Sequence, residues 1–373
     1  MSEGLPRRQV LGWGALLAAA PLVQSGPAHA SENPIRRSPW HVRSGSGIRI
    51  ALREVWAPGR GRDLPPVLLL HGARVPGEAS FDLPVDGGSL AADLALAGHR
   101  VHIMDARGYG ASTRPAEMDD PPLENPPLAT GVDVVQDVAA AVRGIQARSR
   151  RRAVALVGWA TGAHWLGWYA SRYPGAVSHL VFYNSLYGAV DGHPTLGRGS
   201  QYEDPERPGE FNTGKFGAYR LSTGESLIPS WDSSIPVEDK TQWRDPNVVD
   251  AYVRLALASD PTSEQRQPPS FRAPTGALSD SFYLAIGRKL WHAGTITAKT
   301  LIVRSELDFW SREEDVPTLK ADLRRAQAVR TVTLEQATHY THLDREERGR
   351  GALIKELTTW LGSRPARKHG FVT

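Results

Sequence analysis

The sequence predicts an α/β fold: a mostly parallel central sheet with helices on both faces and one long insertion. Three observations carry this. Short apolar runs end abruptly in polar or glycine-rich turns, at 67–70, 101–104, 153–157, 177–183, 300–304 and 331–334. Amphipathic stretches of helical period lie between most of them, the βαβ alternation of a parallel sheet. From 186 to 295 the alternation breaks into a stretch rich in Gly, Pro, Ser, Tyr and Trp, too long for an ordinary connection.

Composition bounds the reading. The chain has 373 residues, 23% charged and 40% hydrophobic, which suits one large domain with an insertion, or two small ones. The formal charge of +4 is spread along the chain, mostly as arginine, with no basic run interleaved with aromatics. That argues against nucleic-acid binding. There are no cysteines, so disulfide and thiol chemistry are excluded and the redox compartment stays open. At the N-terminus Arg7-Arg8 precede an apolar run over 10–23, and Ala28-His29-Ala30 follows. The run is too short to cross a bilayer and reads as a signal peptide over 1–30, cleaved before Ser31. The paired arginines ahead of Gln9-Val10-Leu11 resemble a twin-arginine export signal, with an ordinary secretory signal as the alternative. The mature protein is then expected outside a bacterial cytoplasm, periplasmic or secreted. No later segment is apolar enough to span a membrane.

The elements follow in order. Residues 31–47 are polar and turn-rich, 48–56 alternate as a strand, and 58–66 form a loop. The buried-strand pattern of 67–70 ends in His71-Gly72-Ala73-Arg74. A helix over 89–97 starts at a Ser89 cap and stops at Gly98. The strand 101–104 runs into Asp105-Ala106-Arg107-Gly108-Tyr109-Gly110. An amphipathic helix over 132–145 puts Val135, Val138, Ala139 and Val142 on one face. Strand 153–157, a helix from Thr161 and strand 177–183 complete a first core segment, 31–185. The insertion 186–295 reads as a lid with two helices, 248–259 and 278–291. A second core segment, 296–361, holds strand 300–304, helix 318–325, strand 331–334 and helix 349–361. A basic tail covers 362–373.

Strand 153–157 leads into Gly158-Trp159-Ala160-Thr161-Gly162. A strand, a tight turn and a helix with this glycine spacing form a nucleophile elbow, whose pattern is Gly-x-Ser-x-Gly. The middle position is Ala160, and a methyl group cannot attack a carbonyl. Thr161 is one residue along the helix, so its side chain points elsewhere. Two more turns follow apolar strands: Ser305-Glu306-Leu307-Asp308 and Ala337-Thr338-His339. A nucleophile needs a base, and the base needs an acid that fixes its tautomer. The order nucleophile, acid, histidine is the one found in α/β-hydrolases. The N–H groups of Ala73 and Thr161 are candidate oxyanion donors.

These motifs resemble the α/β-hydrolase-fold superfamily, of the lidded esterase, lactonase and dehalogenase type, over residues 48–361. The likeness rests on His71-Gly72, Asp105-x-Arg107-Gly108-x-Gly110-x-Ser112, the elbow, and the Asp308 and His339 turns. It implies that Asp308 is the acid, His339 the base and Ala160 the occupant of the nucleophile position. The open alternatives are Asp308 as a solvated loop carboxylate, Glu306 as acid and His342 as base. His71, His102 and His164 read as structural, and Asp105 and Arg107 as braces of their loop. No His/Asp/Glu cluster has metal spacing, since His339-x-x-His342 lacks the glutamate of a zinc helix, and no cofactor is expected. Trp159, Phe309 and Trp310 flank the site positions and suit an apolar or aromatic ester or lactone, unless they only pack the core. Arg74 is a candidate contact for a substrate carbonyl or carboxylate. Asn184 and Ser185 end a strand at the same rim. The implied activity is hydrolysis of an ester, lactone or similar acyl bond, with Ala160 as a Ser→Ala change that leaves binding intact. Two other readings stay open: a natural Ser-less protein using a His339–Asp308 dyad for lyase or cofactor-free oxygenase chemistry, and a non-catalytic binder of a small ligand. Nothing in the sequence specifies an oligomeric state.

Overall fold

The structure, a computed structural model, describes residues 35–45, 47–60 and 63–362, besides Met1. The signal-peptide segment after Met1 and the tail from 363 lie outside the described residues. In chain order the strands and helices are β1 (Arg36–Ser44), β2 (Ile48–Trp56), β3 (Val67–Leu70), α1 (Gly77–Phe81), α2 (Leu90–Leu96), β4 (Val101–Met104), α3 (Gly131–Ser149), β5 (Val154–Trp159), α4 (Thr161–Arg172) and β6 (Val177–Tyr183). Next come β7 (Tyr219–Thr223), α5 (Pro229–Ser234), α6 (Pro246–Ala258), β8 (Ser270–Pro274) and α7 (Gly276–Ala285). The chain closes with β9 (Lys299–Leu307), α8 (Asp315–Asp322), β10 (Val329–Thr338) and α9 (Gly351–Gly362).

Eight strands form one sheet in the order β1-β2-β4-β3-β5-β6-β9-β10. The β1/β2 and β2/β4 pairs are antiparallel, and the other five are parallel. The central strands β3, β4 and β5 are buried at every residue, as expected where helices cover both faces. Register decides where the turns meet. Leu70 pairs with both Met104 and Gly158, so the turns after β3, β4 and β5 emerge together at one end of the sheet. Leu307 pairs with Thr338, so the residues that follow, Asp308 and His339, leave the sheet side by side.

The first strand is a departure from the sequence reading, which made 31–47 a polar segment. Residues of β1 pair with the whole of β2 at the sheet edge, and their exposure alternates. An edge strand keeps polar residues on its wet side and tolerates Pro39; Trp40 and Val42 lean on the core. The stretch 186–295 lies outside the large sheet. It contains a two-stranded antiparallel sheet, β7 with β8, that the sequence pattern does not reveal. All five residues of β8 are buried, including Arg272, whose guanidinium grips Asp260 (Nε to Oδ2 2.9 Å). A buried strand held by an ion pair carries no apolar alternation. Helix α7 stops at Ala285 rather than 291, because Gly287 turns the chain at φ 79°. No described helix is long and apolar enough to cross a membrane.

Candidate active site

The elbow is strained. Ala160 sits at φ 52°, ψ −119°, a conformation that costs a non-glycine residue on the order of 1–3 kcal/mol. Its neighbours hold it there. The Ala160 N–H donates to the carbonyl of Tyr183 at 2.8 Å, tying the turn to the end of β6. The two flanking glycines are required by close approach. A Cβ on Gly158 would lie 2.3 Å from Ala163 Cα, and one on Gly162 would lie 2.3 Å from the carbonyl oxygen of Leu70. Helix α4 thus begins directly against the end of β3.

The acid and base candidates meet. His339 Nδ1 lies 2.7 Å from Asp308 Oδ1, and both side chains are buried. The backbone N–H of Trp310 also donates to Oδ1 (2.8 Å), and the N–H of Ser311 donates to Oδ2 (3.0 Å), joined there by the Ser311 hydroxyl. Burial alone would push the Asp308 carboxyl upward. The charge and hydrogen bond of His339, with those from Ser311 and Trp310, outweigh it and hold the group below the ordinary carboxylate value. Asp308 is therefore an ionised acceptor, and the proton of the pair sits on His339 Nδ1. The other ring nitrogen, Nε2, has no hydrogen-bond partner among the described residues.

The His339 backbone is fixed from below. Its carbonyl accepts from Trp159 Nε1 (3.0 Å), Tyr183 Oη (3.2 Å) and Asn184 Nδ2 (3.2 Å). Asn184 is fully buried at φ 51° and also clasps Ser305, through Nδ2 to Oγ (3.0 Å) and Oδ1 to N–H (2.8 Å). One side chain at the end of β6 thereby links the turns that carry Asp308 and His339.

A cavity of about 410 Å³ opens above these groups. Gly72, Ala73, Arg74, Trp159, Ala160, Phe309, Trp310 and His339 all line it. A Cβ on Gly72 would lie 3.4 Å from that of Ala160, so the turn after β3 faces the elbow. The Ala73 carbonyl accepts from Tyr109 Oη at 2.8 Å, while the Ala73 N–H has no acceptor among the described residues. The Thr161 N–H, first of helix α4, also has none. The Thr161 side chain is buried and does not line the cavity, and its hydroxyl is unpartnered. Arg74 is held by Ser222 Oγ (3.0 Å), the Ser226 carbonyl (2.8 Å) and the Ser226 hydroxyl. Trp159 does two things: it walls the cavity and packs its ring on His342, 4.5 Å between centroids.

The other candidates sit apart from this chemistry. Glu306 is exposed and accepts from the Gln336 N–H at 2.7 Å. His342 is buried against Tyr183 Oη (3.2 Å), and burial, then the charge of His339, hold it well below its ordinary value, so it stays neutral. His71 accepts from the Ala106 N–H, and Trp291 Nε1 donates to His164 at 2.8 Å. Burial pushes His102 down to about 4 and His164 down to about 3. Asp105 accepts from the N–H groups of Gly77 and Ala111, and Arg107 pairs with Asp137, both bracing the loop after β4. No group of three possible metal ligands occurs among the described residues.

Several residues that complete the site escape sequence reasoning. Ser311 had a faint signal, a hydroxyl three residues after an aspartate in a turn. The lid residues Tyr202, Arg220 and Tyr252 had none, since their places on the cavity wall depend on how 186–295 folds back.

A strained elbow, a buried acid–histidine pair and a facing glycine turn at one end of a mostly parallel sheet are the parts of one family. Residues 67–349 match the model of the alpha/beta hydrolase family. The chain belongs to that family. Solved structures agree with the fold. A thioesterase domain from the curacin biosynthetic pathway superposes with a TM-score of 0.54 at 15% identity, covering 88% of this chain and 100% of that one. A putative aryl esterase from Burkholderia cenocepacia gives 0.53 at 15% identity, with 87% and 100% covered. E-2-(acetamidomethylene)succinate hydrolase gives 0.54 at 19% identity, with 88% and 100% covered. No curated protein sequence matches the chain. At these identities the neighbours speak for the fold alone; chemistry has to be read from the site of this α/β hydrolase itself.

Proposed function

We propose that this chain is an exported hydrolase of an ester, lactone or similar acyl bond, whose nucleophile position holds Ala160. The observation that carries the reading is the 2.7 Å bond between His339 Nδ1 and Asp308, which lies behind the cavity that His339 and Ala160 both line. In a serine-bearing site His339 Nε2 takes the nucleophile's proton and later returns it to the leaving group, while Asp308 fixes the tautomer and stabilises the imidazolium. The Ala73 and Thr161 N–H groups, free of acceptors, receive the oxyanion. Phe309 and Trp310 favour an apolar or aromatic acyl or alcohol group next to the bond that breaks. With Ala160 no acyl-enzyme forms, so the protein binds its substrate and turns it over weakly through water. Loss of a triad nucleophile costs about 10⁶ in turnover and leaves roughly 10³–10⁴ over water. Export rests on Arg7-Arg8, the apolar run over 10–23 and Ala28-His29-Ala30; a mature chain beginning at Ser31 after expression in a bacterium is the expected product.

The test is Ala160→Ser assayed on a panel of p-nitrophenyl esters and lactones. The expected result is a gain of several orders of magnitude, abolished by His339→Ala. A serine variant as inert as the parent across the panel overturns the hydrolase reading. Activity of the parent itself that vanishes in His339→Ala, with no gain from serine, would instead make the dyad the whole machinery.

A further inference from the structure

Two guanidiniums line this cavity, those of Arg74 and Arg220, and neither has a carboxylate partner among the described residues. Arg220 stands on β7, the lid strand paired with β8, and its side chain lines the same cavity as Ala160 and His339. Its Nε is shut off from solvent and, among the described residues, has no hydrogen-bond partner, and no carboxylate there pairs with its guanidinium. Three arginines that the fold buries more fully are each paired with a carboxylate. Arg272 binds Asp260, Arg312 binds Asp315 and Arg350 binds Asp93. Arg220 is half-buried; withdrawing part of a guanidinium from water without an anion is unfavourable and leaves a group that a ligand can satisfy.

The surroundings sharpen this. Among the described residues, no aspartate or glutamate lines the cavity. Arg74 adds a second guanidinium to its wall, and its own partners, Ser222 and Ser226, are neutral. The nearest acid of the site, Asp308, is committed to His339, Trp310 and Ser311. Burial, and then the charge of Arg74, push Arg220 down to about 10, still far above neutrality, so it meets a ligand as a cation. A guanidinium offers paired N–H groups that match the two oxygens of a carboxylate.

We infer that Arg220, supported by Arg74, is an anion-binding subsite, and that the ligand of this cavity carries a carboxylate besides the acyl bond set against Ala160 and His339. The substrate class is then the half-ester or the lactone-bearing carboxylate, rather than a neutral diester. The cavity, at about 410 Å³, holds a small molecule of that kind. Naming the substrate rests on the hydrolase reading; the subsite itself does not need it.

The two are separated by measuring binding and turnover independently. Binding is followed on the protein as it stands, by calorimetry and by intrinsic tryptophan fluorescence, with monophenyl glutarate and its neutral methyl phenyl diester. The half-ester is expected to bind about tenfold or more tightly, with the preference weakened by salt, lost in Arg220→Gln and partly kept in Arg220→Lys. Melting curves of both variants establish that they fold. Equal binding of the two ligands, no saturable binding of the half-ester at millimolar concentration, or a preference that survives Arg220→Gln overturns the subsite. Turnover in Ala160→Ser reads the other question. If that variant cleaves both compounds equally and Arg220→Gln changes nothing, the subsite is wrong and the hydrolase reading stands. If it cleaves neither while the Arg220-dependent preference persists, the subsite stands and the hydrolase reading fails.

Discussion

Asp308→Asn probes the geometry of the acid–base pair more finely than deletion does. Four donors converge on this carboxylate. Oδ1 accepts from His339 Nδ1 (2.7 Å) and the Trp310 N–H (2.8 Å), and Oδ2 from the Ser311 N–H (3.0 Å) and the Ser311 hydroxyl. An amide has a single oxygen. If it faces His339, the new NH₂ faces Ser311, whose hydroxyl can turn and accept but whose N–H loses its acceptor. If it faces Ser311, the NH₂ confronts the Trp310 N–H, and His339 has to present a bare Nδ1, which leaves Nε2 protonated and unable to act as a base. In both cases one buried N–H is orphaned, at a cost of about 1–3 kcal/mol, and the negative charge that stabilises the imidazolium is gone. The assay is ester turnover in the Ala160→Ser background, with urea denaturation alongside. Turnover is expected to fall by about 10⁴-fold with little change in KM. The denaturation midpoint should drop in both backgrounds. Turnover close to that of Ala160→Ser in a folded double variant refutes the assignment of Asp308 as the group that orients His339.

Two further predictions concern the scaffold. Gly162→Ala adds a methyl 2.3 Å from the Leu70 carbonyl oxygen and 2.4 Å from that of His71, so the first turn of α4 has to leave β3; a loss of about 1–3 kcal/mol or more is expected, and an unchanged urea midpoint would contradict the close packing. Asp344 is buried beneath the His339 turn, where Trp231 Nε1 (2.8 Å) and Thr338 Oγ1 (2.8 Å) donate to it, yet burial raises it to about 7 from an ordinary 3.8. Between these values the folded state keeps a proton that the unfolded chain has released, so the contribution of Asp344 to stability declines as pH rises from about 4 to 7 and is least favourable above that, by on the order of 4 kcal/mol. Asp344→Asn escapes this decline: its melting temperature relative to the parent should be more favourable at pH 8 than at pH 5, and a difference independent of pH would count against the ionisation.

The legibility of this protein in its sequence differs between elements. The strands β3 and β5 announce themselves as continuous apolar runs because both faces of each are covered; β4 and β6 do so with a buried histidine, His102 or His179, among their apolar residues. The turns after them carry glycines that close packing demands, so the elbow was visible as a pattern although its central residue breaks it. Edge strand β1 and the lid sheet were not visible. An edge strand is half polar, and β8 hides its burial behind an ion pair to Asp260. In the sequence Asn184 reads as the end of a strand; its link between Ser305 and His339 exists only where three separate turns meet.

By itself, then, the sequence determined the sheet-and-helix alternation, the elbow, and the candidate trio of Ala160, Asp308 and His339, because local patterns of burial and backbone geometry are written in neighbouring residues. Tertiary structure decided what depends on distant segments meeting. The register of β9 with β10 brings Asp308 and His339 together, although they are 31 residues apart in the chain. The alternatives left open, Glu306 and His342, are set apart only by the fold: Glu306 is exposed, and His342 is buried away from the cavity that His339 lines. Folding of the lid against the elbow sets the guanidinium of Arg220 where no described carboxylate meets it, since charge balance in a cavity is a property of every wall at once.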